Sequence, residues 1–141
     1  MKRALTTLLI VAFCSLAHTT IPPLLPMPQK STFTGKYVKA DVPVNEKIVS
    51  HIDGAIFQDE AYHIHITSKG ATIEATTQRG LYWARQTMAQ LTTDKKGKQL
   101  LPLCEITDWP AFRIRGFMHD IGRSYIPMDE LKAEIAMLSR F

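Results

Sequence analysis

The chain has 141 residues, of which 45% are apolar and 21% charged, with 7 glycines, 8 prolines and 2 cysteines. This composition is typical of a globular domain and excludes collagen-like, low-complexity and disordered proteins. The formal net charge is +4, and the basic residues are scattered along the chain, which argues against nucleic acid as a partner.

The first 17 residues have the pattern of a secretory signal peptide. A positive start at residues 1–3 precedes an apolar stretch at residues 4–16, and small residues at 15 and 17 fit a cleavage site. The apolar stretch is shorter than the ~20 residues that a membrane-spanning helix needs. We therefore expect residues 1–17 to be removed and the mature protein to be exported, to a bacterial periplasm, the cell surface or the medium.

Cysteine usage agrees with export to a bacterial compartment. Without the leader, Cys104 is the only cysteine, so no internal disulfide can form. Small secreted animal modules usually depend on disulfides, whereas a bacterial periplasmic protein need not. No histidine partner for Cys104 follows a recognisable pattern, and we expect its thiol to be buried and inert.

The mature chain begins with a proline-rich lead-in followed by two short elements. Residues 21–30 contain four prolines and are predicted to be extended. Residues 33–38 predict a short strand. Residues 44–52 predict a helix, because apolar side chains recur there at every fourth position.

A β-hairpin is the clearest local prediction. Residues 61–67 and 71–76 alternate between apolar and polar, and the turn at residues 68–70 contains glycine. One face of each strand is expected to be buried. The residues on these faces are Tyr62, Ile64, Ile66, Ala71, Ile73 and Ala75.

The period changes to that of a helix over residues 78–91. One apolar stripe runs along this segment, formed by Leu81, Ala84, Met88 and Leu91. Either Thr76 or Thr77 suits the N-cap. A loop at residues 94–98 and a strand at residues 100–106 follow. This order of elements predicts an α+β fold with a small sheet and helices on one face.

The last part of the chain does not belong to that unit. Asp108-Trp109-Pro110 marks a boundary, because the residue before a proline is disfavoured in a helix. Residues 112–121 predict a strand, and a helix is predicted to start at Pro127 with acidic residues in its first turn. Its apolar stripe is formed by Leu131, Ile135 and Leu138. One strand and one helix cannot bury both apolar faces alone, so we expect this part to be the start of a larger, truncated domain.

Five short segments carry a family pattern when they are taken in chain order. They are L-P-M-P-Q at 25–29, E-A-Y at 60–62, G-L-Y-W-A-R-Q-T at 80–87, D-W-P-A-F-R-I-R-G-F-M-H-D at 108–120, and Arg123 with Pro127. Together they resemble bacterial β-N-acetylhexosaminidases of glycoside hydrolase family 20. The resemblance spans nearly all of the mature chain.

The resemblance implies a two-part organisation. Residues 18–107 would form the zincin-like N-terminal α+β accessory domain of the family. Residues 108–141 would begin the catalytic (β/α)8 barrel, in truncated form. No cofactor is implied.

The resemblance also implies a reaction. Family members remove terminal β-linked N-acetylglucosamine or N-acetylgalactosamine with retention, using the substrate's own 2-acetamido oxygen as the nucleophile. A glutamic acid protonates the leaving oxygen and the neighbouring aspartate orients the acetamido group. That Asp-Glu pair lies further along the family's barrel, so we expect no catalytic residue in this chain and no activity from it alone.

One substrate-binding position maps onto the chain. Arg115 matches the family arginine that hydrogen-bonds hydroxyls of the terminal sugar, a role suited to the five fixed donors of a guanidinium. The alternative is an ordinary strand arginine paired with a carboxylate such as Asp120. Asp120 and Arg123 are expected to form a structural pair. Gly122 and His119 depart from the residues that the family often has at these positions.

Other sites and one other function remain alternatives. His63 and His65 share a strand face, but zinc needs three or four ligands and no spacing motif supplies them, so no metal is expected. Tyr82 and Trp83 suit either a sugar platform or packing between domains. The rival function is a self-contained exported carbohydrate-binding or interaction module. It predicts that residues 112–141 fold back and bury their apolar stripe.

Overall fold

A computed structural model describes residues 23–141, so the predicted signal peptide and its cleavage site lie outside the described residues. The described part consists of a small mixed sheet and two helices. The strands are β1 (Lys30–Lys39), β2 (Val44–Ile48), β3 (Tyr62–Thr67), β4 (Gly70–Ala75), β5 (Thr93–Lys95) and β6 (Lys98–Asp108), and the helices are α1 (Gln78–Leu91) and α2 (Met128–Leu138). A short 3-10 turn, Gln58–Glu60, precedes β3. Within residues 23–141, neither helix is long and apolar enough to cross a bilayer.

The six strands form one sheet in the order β1-β6-β3-β4-β2, with β5 paired to the start of β6. Every pairing is antiparallel except that of β2 with β4, which is parallel. The long strand β6 pairs with β1, β3 and β5. Its last residue, Asp108, therefore lies opposite Tyr62 at the first residue of β3.

The predicted hairpin is confirmed. Strands β3 and β4 pair in register with Ile64 opposite Ile73. All six residues predicted to face inward are buried, and both isoleucines are almost completely inaccessible. Burying one such side chain contributes about 1.5–3 kcal/mol, so this pair is central to the core.

Helix α1 covers the buried face of the hairpin and begins and ends where the sequence predicts. Its N-cap is Thr77, whose hydroxyl oxygen accepts a hydrogen bond from the backbone N–H of Gly80 at 3.2 Å. Three residues of the predicted stripe are buried and Met88 is half-buried. The predicted helical layer on one face of the sheet is thus present as α1.

Gly80 sets how closely α1 approaches the sheet. A Cβ atom at this position would lie 2.6 Å from the carbonyl oxygen of Ala61 and 3.1 Å from the Cβ of Ala75. Real Cβ atoms do not come this close to a backbone oxygen. The first turn of α1 therefore rests directly on the start of β3, and only glycine fits there.

The helix predicted over residues 44–52 is wrong. Residues Val44–Ile48 form β2, which pairs in parallel with β4 from Val44 opposite Ala71 to Ile48 opposite Ala75. Val44 and Ile48 are about half exposed, whereas Ile52 is buried beyond the end of the strand. The free edge of β4 offers backbone partners that a spacing of apolar residues does not reveal.

The loop predicted at residues 94–98 is shorter than expected. Lys96 and Gly97 both have positive φ, at 57° and 75°, and form a two-residue turn between β5 and β6. Paired positive φ values match the twist of antiparallel strands. The strand predicted at residues 100–106 consequently extends at both ends.

The strand predicted over residues 112–121 is also wrong in this structure, because no helix or strand occurs between Trp109 and Pro127. A strand satisfies its backbone groups by pairing with a neighbour, and none of the described strands lies alongside this segment. Helix α2 follows at the predicted place, after Pro127. Its apolar stripe is not buried: Leu131 is half-buried, and Ile135 and Leu138 are 67% and 41% exposed.

Candidate functional site

Four of the five motif segments of the sequence come together around one concave surface, here called the junction pocket. The fifth, Arg123 with Pro127, does not line it. The pocket lies between the lead-in at residues 24–29, one side of α1, the turn before β3 and the segment that follows β6. Its charged side chains are those of Glu60, Asp108, Arg115 and Arg140, and Tyr62 is among its polar ones. Trp83 and Phe141 supply aromatic surface. Gln29 and Trp109, which are 80 residues apart in sequence, thus share one site.

Tyr62 is the centre of the hydrogen-bond network beneath this pocket. Its hydroxyl donates to Oδ2 of Asp108 at 2.8 Å and lies 2.6 Å from Oγ1 of Thr87. Because a phenol has one hydrogen, the Thr87 hydroxyl is the donor in the second contact. Burial, followed by the negative charge of Asp108, raises the pKa of Tyr62 far above its ordinary value. This neutral phenol links β3, α1 and the end of β6.

The lead-in is tied to the same network. The backbone N–H of Gln29 donates to Oδ1 of Asp108 at 2.9 Å, so both carboxylate oxygens of Asp108 accept a hydrogen bond. The amide of Gln90 on α1 donates to the carbonyl of Leu25 and accepts from its N–H, each at 2.8 Å. Leu24 is buried against the core. The predicted extended lead-in is therefore a fixed part of the fold.

Trp109 lies in the segment that the sequence predicts as a domain boundary. It is buried with Ile52 and Ala61 in a second, smaller core cluster. The ammonium of Lys30, at the start of β1, lies 5.5 Å from the centre of its ring. The chain leaves the α+β unit immediately after this anchored residue.

Arg115 lies just beyond that exit and points back to the unit. One of its terminal nitrogens, Nη2, donates to Oε2 of Glu60 at 2.5 Å, and Nη1 donates to the carbonyl of Phe112 at 2.9 Å. Its guanidinium lies 5.6 Å from the centre of the Trp83 ring. Asp120 does not bind it, but the pairing of Arg115 with the Glu60 carboxylate is the kind of contact that the alternative predicts.

Asp120 is instead paired with Arg123, as predicted. Nε of Arg123 and Oδ2 of Asp120 are 2.7 Å apart, and Oδ1 of Asp120 accepts from the backbone N–H of Gly122. Glu60 is not predicted from the sequence as a partner for Arg115. The available signal was its position as the first residue of the E-A-Y motif.

The family comparison agrees with this convergence of motifs. The sequence profile of "Glycosyl hydrolase family 20, domain 2" matches residues 28–109, which is more than half of the chain. The chain belongs to glycoside hydrolase family 20. Within this family 20 chain, the matched region ends at Trp109, the anchored residue at the exit of the α+β unit.

Relatives of the family 20 chain are much longer than it is. A "Beta-hexosaminidase" of Porphyromonas gingivalis is 29% identical over 107 residues, which is 70% of this chain and 14% of that protein. An "N,N'-diacetylchitobiase" of Vibrio harveyi is 28% identical over 113 residues, covering 79% of this chain and 13% of that protein. The chain thus spans about one seventh of the length of these relatives.

Solved structures share the fold of the family 20 chain. A Vibrio harveyi GH20 exo-β-N-acetylglucosaminidase, in complex with N-acetylglucosamine, superposes with a TM-score of 0.72 at 20% identity over 87% of this chain and 24% of that one. Streptomyces plicatus N-acetyl-β-hexosaminidase gives a TM-score of 0.58 at 27% identity over 70% of this chain and 20% of that one. The mixed sheet and its helices are therefore the fold of this accessory part of the family.

The two strand histidines lie on the open face of the sheet. Nδ1 of His63 is 2.9 Å from Oγ1 of Thr107, and its Nε2 is 3.6 Å from a carboxylate oxygen of Glu105. His65 is exposed. Across residues 23–141, no three His, Cys, Asp or Glu side chains are grouped so that they could hold a metal ion.

Cys104 and His119 have local roles. Cys104 is buried in the core as predicted, and burial raises the pKa of its thiol to about 11. Nδ1 of His119 lies 2.8 Å from Oε2 of Glu134 on α2, which gives this side chain a local hydrogen-bond partner. Neither side chain lines the junction pocket.

The two adjacent aromatic residues on α1 contact different parts of the chain. Tyr82 and Trp83 pack edge to face with ring centres 5.1 Å apart. The hydroxyl of Tyr82 donates to the carbonyl of Ser139 at 2.7 Å, at the end of α2. Trp83 lines the junction pocket, and its indole N–H is buried without a partner among the described residues. Both rings therefore contact the segment that follows the α+β unit.

Proposed function

We propose that this chain is the N-terminal part of an exported β-N-acetylhexosaminidase. In the proposal, residues 18–107 are its zincin-like accessory domain and residues 108–141 are the first strand-helix unit of a catalytic (β/α)8 barrel. The observation that carries the proposal is the family 20 match to residues 28–109, because the motif residues inside it build one connected site. The segment that begins the family's barrel motif leaves from that site.

The exposed apolar side chains after Trp109 support a further domain. Six large apolar or aromatic residues of residues 111–127 are more than 60% exposed: Phe112, Ile114, Phe117, Met118, Ile121 and Tyr125. The outward stripe of α2 adds Ile135 and Leu138. Many large exposed apolar side chains in one short segment are typical of a place where protein packs against protein. In a barrel, neighbouring strands and helices would cover both surfaces, and residues 112–121 would gain strand partners.

This exposure also separates the proposal from its rival. A self-contained binding module needs the last thirty residues to bury their stripe on the α+β unit. Ile135 and Leu138 do not do so. The contacts of α2 and the residues after it include the hydrogen bonds of Tyr82 with Ser139 and of His119 with Glu134. Arg140 and Phe141, which follow the helix, line the junction pocket.

The proposed reaction is hydrolysis of terminal β-linked N-acetylhexosamine, with retention and with participation of the substrate's acetamido group. The acid and the aspartate that orients the acetamido group would come from later parts of the barrel, so the chain on its own would be inactive. Arg115 would bind hydroxyls of the terminal sugar. The names of the relatives, a chitobiase and several β-hexosaminidases, favour glycans that contain N-acetylglucosamine.

A paired assay tests this assignment. The reading frame downstream of residue 141 is sequenced, and the extended protein is expressed beside residues 18–141. The extended protein is expected to release aryl alcohol from an aryl N-acetyl-β-glucosaminide, and residues 18–141 are expected to release none. Turnover by residues 18–141 would place the chemistry inside this chain and refute the proposed division of roles.

Export is tested separately on the same extended protein. Expressed with its natural start in a bacterial host, it is expected outside the cytoplasm, with a mature N-terminus at His18. A cytoplasmic protein that retains Met1 would refute the export proposal and leave the glycosidase proposal intact.

A further inference from the structure

Glu60 is the one charged residue that is buried among those the structure describes. Its exposed fraction is 9%, and it lies in the 3-10 turn before β3, inside the α+β unit. A carboxylate is costly to bury unless it is paired and hydrogen-bonded. Its short contact is with Arg115, which is 55 residues away and outside the family profile.

The turn that carries Glu60 is held rigidly. The side-chain amide of Gln58 donates to the carbonyls of Ile52 and Ala55, at 2.8 and 2.9 Å. The hydroxyls of Thr76 and Thr77 donate to the carbonyls of Gln58 and Asp59, just before α1. The position of the Glu60 carboxylate is therefore determined by the α+β unit.

The guanidinium of Arg115 contacts three groups and still has N–H donors that are not used in these contacts. Glu60 takes one hydrogen from Nη2, the Phe112 carbonyl takes one from Nη1, and the Trp83 ring lies beside the guanidinium plane. A guanidinium has five N–H groups, so three remain for other acceptors. Its side chain is 38% exposed, which leaves those donors accessible.

We propose that Glu60 is a positioning residue for Arg115, so that the accessory domain directly orders the sugar-binding guanidinium of the barrel. The inference rests on the proposed function, in which Arg115 binds hydroxyls of the terminal sugar. An arginine loses much rotamer freedom when it is fixed, and a carboxylate that fixes it beforehand removes this cost from substrate binding. The short, charge-assisted contact suits such a role.

Arg79 provides a matched control for the same carboxylate. Its Nη1 lies 3.6 Å from Oε1 of Glu60, and its side chain is 63% exposed. An exposed ion pair at this distance contributes little. Removing Arg79 therefore changes the surroundings of Glu60 without releasing Arg115.

The experiment uses the extended, active enzyme with an aryl N-acetyl-β-glucosaminide as substrate. The variants are Glu60→Gln, Arg115→Gln, their double variant and Arg79→Gln. Glu60→Gln is expected to raise KM about five-fold while kcat stays within about two-fold, as expected for weakening of a charge-assisted hydrogen bond. Arg79→Gln is expected to leave both constants within about two-fold of the parent. The double variant is expected to be no worse than Arg115→Gln, because Glu60 acts through Arg115.

The remaining outcomes distinguish failure of the positioning role of Glu60 from failure of the sugar contact of Arg115. If Arg115→Gln raises KM but Glu60→Gln does not, the positioning role is refuted and the proposed function stands. Independent effects that multiply in the double variant refute the positioning role in the same way. If Arg115→Gln leaves KM unchanged, the proposed sugar contact itself fails.

A folding defect is kept separate from the positioning role. Unfolding midpoints are measured for every variant. If Glu60→Gln does not fold, Glu60→Asp replaces it, since the charge is retained while the carboxylate is withdrawn by one methylene. An unchanged KM in a folded Glu60→Asp enzyme would then refute the proposal.

Discussion

Replacing Tyr62 by phenylalanine removes one hydroxyl from the network that joins β3, α1 and the end of β6. The ring stays buried, so the change tests the hydrogen bonds and not the packing. The substitution removes one hydrogen bond with the Thr87 side chain and one with the Asp108 carboxylate. A neutral hydrogen bond contributes about 0.5–1.5 kcal/mol and one to a charged group about 1.5–3 kcal/mol. We therefore expect Tyr62→Phe to lower the free energy of unfolding by about 2–4 kcal/mol near neutral pH.

The same variant has a pH dependence that identifies the phenol. Burial, and then the charge of Asp108, raise the pKa of Tyr62, so the folded phenol stays protonated while the unfolded one ionises near its ordinary value of about 10. Because the folded pKa is raised, the contribution of the Tyr62 phenol to stability is complete below the unfolded pKa of about 10. This contribution declines as the pH rises above about 10. At about pH 11 the loss reaches ~1.4 kcal/mol in the parent and is absent in Tyr62→Phe. The difference between the two proteins should shrink by that amount.

The assay is urea unfolding of purified residues 18–141, monitored by tryptophan fluorescence at about pH 8 and at about pH 11. In the unfolded chain Tyr62 is neutral at about pH 8 and ionised at about pH 11. Tyr125→Phe is the matched control, because Tyr125 is 87% exposed and should change stability by less than about 0.5 kcal/mol. Ionisation of the other tyrosines and the lysines cancels in the comparison. A Tyr62→Phe protein as stable as the control, or a difference that does not change with pH, would refute the proposed network.

Three further predictions concern other parts of the fold. Gly80→Ala should destabilise the chain by about 1–3 kcal/mol in urea, since the new Cβ meets the carbonyl of Ala61, whereas Gly116→Ala, with nothing within 4 Å, should be neutral. Burial raises the pKa of the Cys104 thiol from 9.0 to about 11. At about pH 8 the folded chain should therefore react with a disulfide reagent about a hundred-fold more slowly than the urea-unfolded chain. Equal rates would show that the thiol is accessible. Its contribution to stability should be complete below about pH 9 and decline towards about pH 11. Gln90→Ala removes both hydrogen bonds to Leu25, so hydrogen exchange of that amide should accelerate while the amides of β3 remain protected.

Local patterns in the sequence predicted the elements whose pairing partner is close in the chain. The hairpin β3–β4 forms around a short turn, and alternation alone determines which side chains face the core. Helix α1 also follows from local signals, with Thr77 as its cap and Leu81, Ala84 and Leu91 facing the sheet.

The predictions for two segments are wrong because their conformation depends on a partner that the local sequence does not reveal, whereas the strands predicted at residues 33–38 and 100–106 are present as β1 and β6. The spacing of apolar residues at 44–52 fits a helix, yet the free edge of β4 makes residues 44–48 a strand. Residues 112–121 have a strand-like sequence but pair with no described strand. Backbone hydrogen bonding in a sheet depends on a neighbouring strand, and the sequence of neither segment shows which strand that is.

The family motifs show both sides of this division. Their order in the sequence identified the family and singled out Arg115, because each short pattern is local and readable. Which residues meet was decided by the packing of α1, held close by Gly80, against the start of β3. Only that packing brings Tyr62, Thr87 and Asp108 to one point and places the Glu60 carboxylate against Arg115, since contacts between side chains 55 residues apart depend on how whole elements stack.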